Sequence, residues 1–167
     1  MSRKIAWYII SFIGIVLVQV LILNNIQFSG YINPYFYILF VLILPIGVPR
    51  YLLLLLGFLL GITVDVFCST PGIHASATVL ISFLRPYFFS TSNLDEQEKA
   101  MLPTIKNMGL GWFLRYVAVL ILIHHVFLFY IEAFTFVGFL HTLVRSLFSS
   151  IFTFVVVIIS QFLIFRK

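Results

Sequence analysis

Apolar side chains run almost unbroken through this chain, and the few polar interruptions divide it into helical segments. Residues 5–49 hold no charged side chain, a stretch long enough for two membrane crossings if the chain turns between them. Asn24, Asn25, Gln27, Ser29, Gly30, Asn33 and Pro34 supply that turn. Crossing about 30 Å of hydrocarbon takes about 20 helical residues. The pattern therefore predicts a first span at about 5–23 and a shorter second at about 34–46, closed by Pro45, Gly47, Pro49 and Arg50. A third span is expected at about 51–67 and a fourth at about 71–88, with Thr70 as its N-cap, Pro71 in its first turn, and its end near Arg85 and Pro86. The polar stretch at about 89–111 reads as a loop, followed by spans at about 112–131 and 141–165.

Composition removes the competing classes. Of 167 residues, 62% are hydrophobic and 9% charged, against about 25% charged in a soluble domain. The fold class is thus an all-α polytopic membrane protein, 1–167 as one transmembrane domain with six helices and no room for a folded soluble domain. A net charge of +5 would suit nucleic acid only as a surface patch, and the basic residues are scattered at span ends instead. With a cytoplasmic N-terminus, Arg3, Lys4, Arg50, Arg85, Lys99, Lys106, Arg166 and Lys167 all fall inside, and the outer loops carry no Lys or Arg. That bias predicts a multi-pass membrane protein with both termini cytoplasmic. The first segment is too long for a cleaved signal peptide, and no small-x-small site follows it.

A charged group at the centre of an inserting helix costs roughly 2.5–3.5 kcal/mol, so those retained usually face protein or a cavity. Gly57, Gly61 and Asp65 lie four apart and share one face of span three. Asp65 is expected to accept hydrogen bonds from the start of span four or from His74, fastening the turn between the two spans. A proton or cation site in a transport path is the alternative. Thr142, Ser146, Ser149, Thr153 and Ser160 fall within about 60° of one another on span six, beside Arg145. This stripe serves helix packing or forms a groove, and Arg145 is placed to pair with Glu132. His124 and His125 are adjacent and diverge, and no spaced ligand set for a metal exists. No catalytic motif is present, so neither an enzyme nor a cofactor is expected.

Several stretches resemble the rod shape-determining MreD family of bacteria, in its Bacteroidetes-like form. They are Val18-Gln19-Val20-Leu21-Ile22-Leu23-Asn24-Asn25, Asn33-Pro34-Tyr35 and Leu44-Pro45, and, most specifically, Leu56-Gly57-Phe58-Leu59-Leu60-Gly61-Ile62-Thr63-Val64-Asp65-Val66-Phe67. Gly72-Ile73-His74-Ala75 and Phe83-Leu84-Arg85-Pro86 follow. The resemblance covers about the first 90 residues; the last third is similar only in length, hydropathy and span count. It implies a fold similar to the S components of energy-coupling-factor vitamin transporters and a non-catalytic scaffold of the cell elongation machinery, supporting rod shape and lateral peptidoglycan synthesis. The implied partners are MreC, a SEDS glycosyltransferase, a class B penicillin-binding transpeptidase and, indirectly, the MreB filament, together with membrane lipid. Gln19, Pro34, Gly57, Gly61, Asp65, Gly72, His74, Arg85 and Pro86 are then structural or interaction residues. The span-six stripe and an outer aromatic belt of Tyr31, Tyr35, Phe36, Tyr37, Tyr130, Phe134 and Phe136 are the expected docking surfaces. The rival reading is a vitamin-binding S component, which requires an outward cavity with converging polar groups.

Overall fold

The computed structural model describes residues 2–26, 32–89, 95–135 and 137–164, with side chains from residue 5 onward. Gln27, Ser29, Gly30, Tyr31, Phe136, Arg166 and Lys167 lie outside the described residues, as do the side chains of Arg3 and Lys4. The described residues are all-helical in class. Its helices are α1 (Ser2–Leu17), α2 (Ile38–Leu42), α3 (Arg50–Cys68), α4 (Ile73–Leu84), α5 (Glu96–Lys99), α6 (Ile105–Met108), α7 (Leu110–Ala133) and α8 (Phe139–Ile164). α1 continues through a π turn, Val18–Ile22, and a 3-10 turn, Leu23–Asn25.

Among the described residues four helices are long and apolar enough to cross a membrane: Ile5–Asn25, Arg50–Cys68, Leu110–Ala133 and Phe139–Ile164. Each matches one of the expected spans at 5–23, 51–67, 112–131 and 141–165, residue 165 lying outside the described residues. At the other two expected positions the helices are shorter than a membrane span. Residues 34–46 contain only the five-residue α2, enclosed by the bundle: Tyr37, Ile38, Leu39, Val41 and Leu42 are all fully buried. Pro45, three residues past its end, keeps the helix from running on. Residues 71–88 hold the 12-residue α4 followed by a 3-10 turn, Arg85–Phe88, that includes Pro86. α4 starts three residues after Thr70, because Gly72 takes a left-handed φ of +84° as the N-cap residue. Thr70 therefore does not cap α4; its hydroxyl donates to Asp65 instead.

α3 packs against α4, α4 against α7, and α7 against α8. The first of these contacts depends on missing side chains. A Cβ on Gly61 would overlap the Ala75 backbone, and one on Gly57 would overlap the Ser82 hydroxyl. The two backbones thus meet directly, as small residues permit in a bilayer where apolar burial supplies no drive for helix association. α1 is the outlier, with only 11% of its span buried against 44% for α7.

Candidate functional site

The interior polar groups form two clusters at one end of the bundle and a third at the other. Asp65, on the last turn of α3, is 2% exposed. Its Oδ1 accepts from the His74 backbone N–H at 2.9 Å, the Thr70 hydroxyl at 2.9 Å and His74 Nδ1 at 3.0 Å, and its Oδ2 accepts from the Ala75 N–H at 2.9 Å. The first turn of any helix leaves backbone N–H groups unpaired and carries a partial positive charge. A carboxylate from the preceding helix meets both conditions. The sequence places Asp65 there because α3 ends three residues later and Ser69 adopts a left-handed φ of 56°, folding the chain back at once.

The second cluster surrounds residues 33–37, where the backbone is not helical. Backbone at membrane depth requires polar partners from the protein, and side chains from α1 and α8 provide them. Gln19, fully buried on the π turn, donates through Nε2 to the Pro34 carbonyl at 2.9 Å and to Asn24 Oδ1 at 2.8 Å, and its Oε1 accepts from the Tyr37 N–H at 3.2 Å. From α8, Ser149 Oγ accepts from the Asn33 N–H at 3.2 Å and Thr153 Oγ1 from the Tyr35 N–H at 3.0 Å. His125 Nδ1 lies 2.9 Å from the Ile121 carbonyl and so donates to it. In the neutral ring Nε2 then accepts from Thr153 at 3.0 Å. Tyr37 Oη is 2.8 Å from His124 Nε2.

This arrangement reassigns the span-six stripe. Ser146, Ser149 and Thr153 are fully buried, Ser160 is nearly so, and Thr142 is half-buried in the first turn of α8. Within the stripe Ser149 and Thr153 hold residues 33–35, while Ser146 and Ser160 donate to the Leu143 and Val157 carbonyls of their own helix. The aromatic belt divides likewise: Tyr35, Phe36 and Tyr37 are interior, whereas Phe134 is 93% exposed. Arg145 stands apart from the stripe. Its guanidinium pairs with Glu132 at 3.4 Å and lies 4.3 Å over the Phe129 ring.

Arg85, counted among the cytoplasmic charges and among the structural or interaction residues, is buried in the third cluster at the opposite end. Nη2 donates to the Leu44 carbonyl and, at 3.3 Å, to the Pro45 carbonyl, while Nε donates to Tyr116 Oη at 3.1 Å. Tyr116 in turn donates to the Leu42 carbonyl at 2.9 Å. The guanidinium fork thus collects the carbonyls released where α2 ends, with the Phe89 ring 5.1 Å away. The burial of a basic residue beside a proline is not readable from a hydropathy profile. Leu44-Pro45, two carbonyls freed by a helix stop, was the available hint.

Among the described residues no group of three or more His, Cys, Asp or Glu is placed to hold a metal. Thr70 and Asp65 both meet His74 at Nδ1, so Thr70 is not aligned as a nucleophile against the other ring nitrogen. Compared with protein-family models, curated proteins and solved structures, the chain matches none.

Proposed function

We propose that this chain is a non-catalytic scaffold of the bacterial inner membrane, of the MreD type, which receives the single membrane helix of an MreC-like partner. The observation that carries the reading is a groove of about 440 Å³ between α1 and α3, lined only by apolar surface. Ile5, Tyr8, Ile9 and Phe12 form one wall, Leu52, Leu56 and Leu59 the other, with Leu44, Pro45 and Val48 as the floor. α1 is barely buried, so its exposed face is free to pack a further helix by van der Waals contact. The α3–α4 joint and the Gln19–Pro34 tie coincide with the stretches that resemble the family, and they hold the groove wall in place.

Six passes are consistent with the chain path if the enclosed 34–46 segment and the short α4 each count as a crossing, as the S-component resemblance implies. Arg50, Lys99 and Lys106 at one end support a cytoplasmic position for that end. Through the MreC-like partner the scaffold would connect to a SEDS glycosyltransferase, a class B transpeptidase and the MreB filament, supporting lateral wall synthesis.

Co-purification from native membranes tests the reading. The wild-type chain is expected to bring down an MreC-like single-span protein, and Leu52→Trp, which fills the groove, is expected to lose it while the bundle's thermal unfolding stays unchanged. Absence of such a partner, with a vitamin co-purifying instead, would favour the S-component alternative and reject the scaffold.

A further inference from the structure

The α7–α8 hairpin reaches further than the α3–α4 turn beside it. At about 1.5 Å per residue the 19 residues of α3 span about 28 Å and the 26 of α8 about 39 Å, against about 30 Å of hydrocarbon. The excess lies at the end that carries the α3–α4 turn. There Glu132 lines one cavity with Thr70 and His74, and Arg145 pairs with Glu132. α8 begins at Phe139, six residues before Arg145, so its first turns rise about 9 Å beyond that pair.

This tip carries no formal charge. No Asp, Glu, Lys or Arg stands between Glu132 and Arg145, whereas the polar stretch at the opposite end holds Asp95, Glu96, Glu98, Lys99 and Lys106. Phe134 is 93% exposed, Val137 85% and Leu140 72%. Phe134 also takes a left-handed φ of 47° where α7 ends, a position usually given to Gly or Asn because a bulky side chain is strained there. Tyr130 braces the tip, with its ring 5.2 Å from that of Phe139 and its hydroxyl donating to the Phe139 carbonyl at 3.0 Å.

Lipid is the occupant that the surroundings supply. On α8, Leu163, Ile159, Val155, Ile151, Leu147 and Val144 are exposed at spacings of three and four, and this lipid-facing stripe runs on into Leu140 with no polar residue at any step. The headgroup layer adds about 5–7 Å beyond the hydrocarbon on each side, close to the height by which the tip projects. We propose that the tip, built on Phe134, Val137 and Leu140, is a lipid anchor lodged in the headgroup layer, pinning the α8 side of the bundle to that leaflet. It shares no residue with the α1–α3 groove and does not depend on the scaffold reading.

The test uses the full chain with Cys68→Ser and Val137→Cys, spin-labelled and reconstituted in vesicles of palmitoyl-oleoyl phosphatidylcholine. A segment lodged about 5–10 Å deep at the membrane interface is expected to meet a water-soluble nickel chelate about tenfold less often than a label at Asn107→Cys, and dissolved oxygen more often. Leu140→Cys is expected to match Val137→Cys, so the test stands if one of them fails to fold. Dilution with unlabelled chain and transfer to native membranes separate the other occupants. Protection lost on dilution assigns a second copy, and protection found only in native membranes assigns a protein partner. Either result, or nickel access at both tip positions equal to that at Asn107→Cys, would overturn the proposal.

Discussion

Replacing Asp65 tests the joint on which the architecture turns. Asp65→Leu removes an acceptor that satisfies two backbone N–H groups, His74 and Ala75, and two side-chain donors. The two amides have no other turn of helix to bond, and each buried donor left unpaired costs about 1–3 kcal/mol, giving a loss of about 2–6 kcal/mol. Neutral interhelical hydrogen bonds in a bilayer average only about 0.6 kcal/mol, but this acceptor is charged and saturated, which moves the effect upward. Asp65→Asn keeps one carbonyl oxygen, so about half of that loss is expected. The measurement is thermal unfolding in nanodiscs together with amide exchange at His74 and Ala75, where protection should fall by about 10- to 100-fold in the Leu variant and less in the Asn variant. Unchanged midpoint and unchanged protection in Asp65→Leu would refute the fastening role.

Gly61→Ala drives a Cβ into the Ala75 backbone and should lower stability by about 1–3 kcal/mol as overpacking, read as a lower unfolding midpoint. Gly57→Ala meets the Ser82 hydroxyl, so its penalty should be largely relieved in the Gly57→Ala, Ser82→Ala double variant, whereas no second substitution of that kind rescues Gly61→Ala. Arg85→Lys keeps the charge but loses the fork that spans the Leu44 and Pro45 carbonyls and Tyr116. It should destabilise by about 1–3 kcal/mol, and equal midpoints for the two proteins would count against that role. On a Cys68→Ser background, Asn107→Cys should react with an impermeant thiol reagent only from the cytoplasmic side; labelling from outside inverts the topology.

How much was legible depends on the kind of signal. The starts of α3, α7 and α8 lie directly after Pro49, Gly109 and Gly138, residues that interrupt an apolar run and are visible in the sequence. The Asp65 contact was legible for a similar reason: a spacing of four, a sharp turn and a helix start put the carboxylate beside unpaired N–H groups. The fate of residues 34–46, of Arg85 and of the Ser and Thr positions on α8 was not. Each is decided by a partner distant in sequence, as Tyr35 is by Thr153 and Arg85 by Leu44.

Sequence alone determined that this is an all-helical chain with spans of membrane length, because the energy of placing a residue in hydrocarbon is local and can be summed along the chain. Only the tertiary structure decided which apolar residues face lipid and which face protein. Lipid tails are as apolar as leucine, so hydropathy treats the fully buried Leu39 and the exposed Leu21 alike. Polar residues separate the two cases, since Gln19, Thr153 and Arg85 are stable at depth only against the backbone of a segment that is not a regular helix. Whether such a segment exists depends on contacts made across the fold.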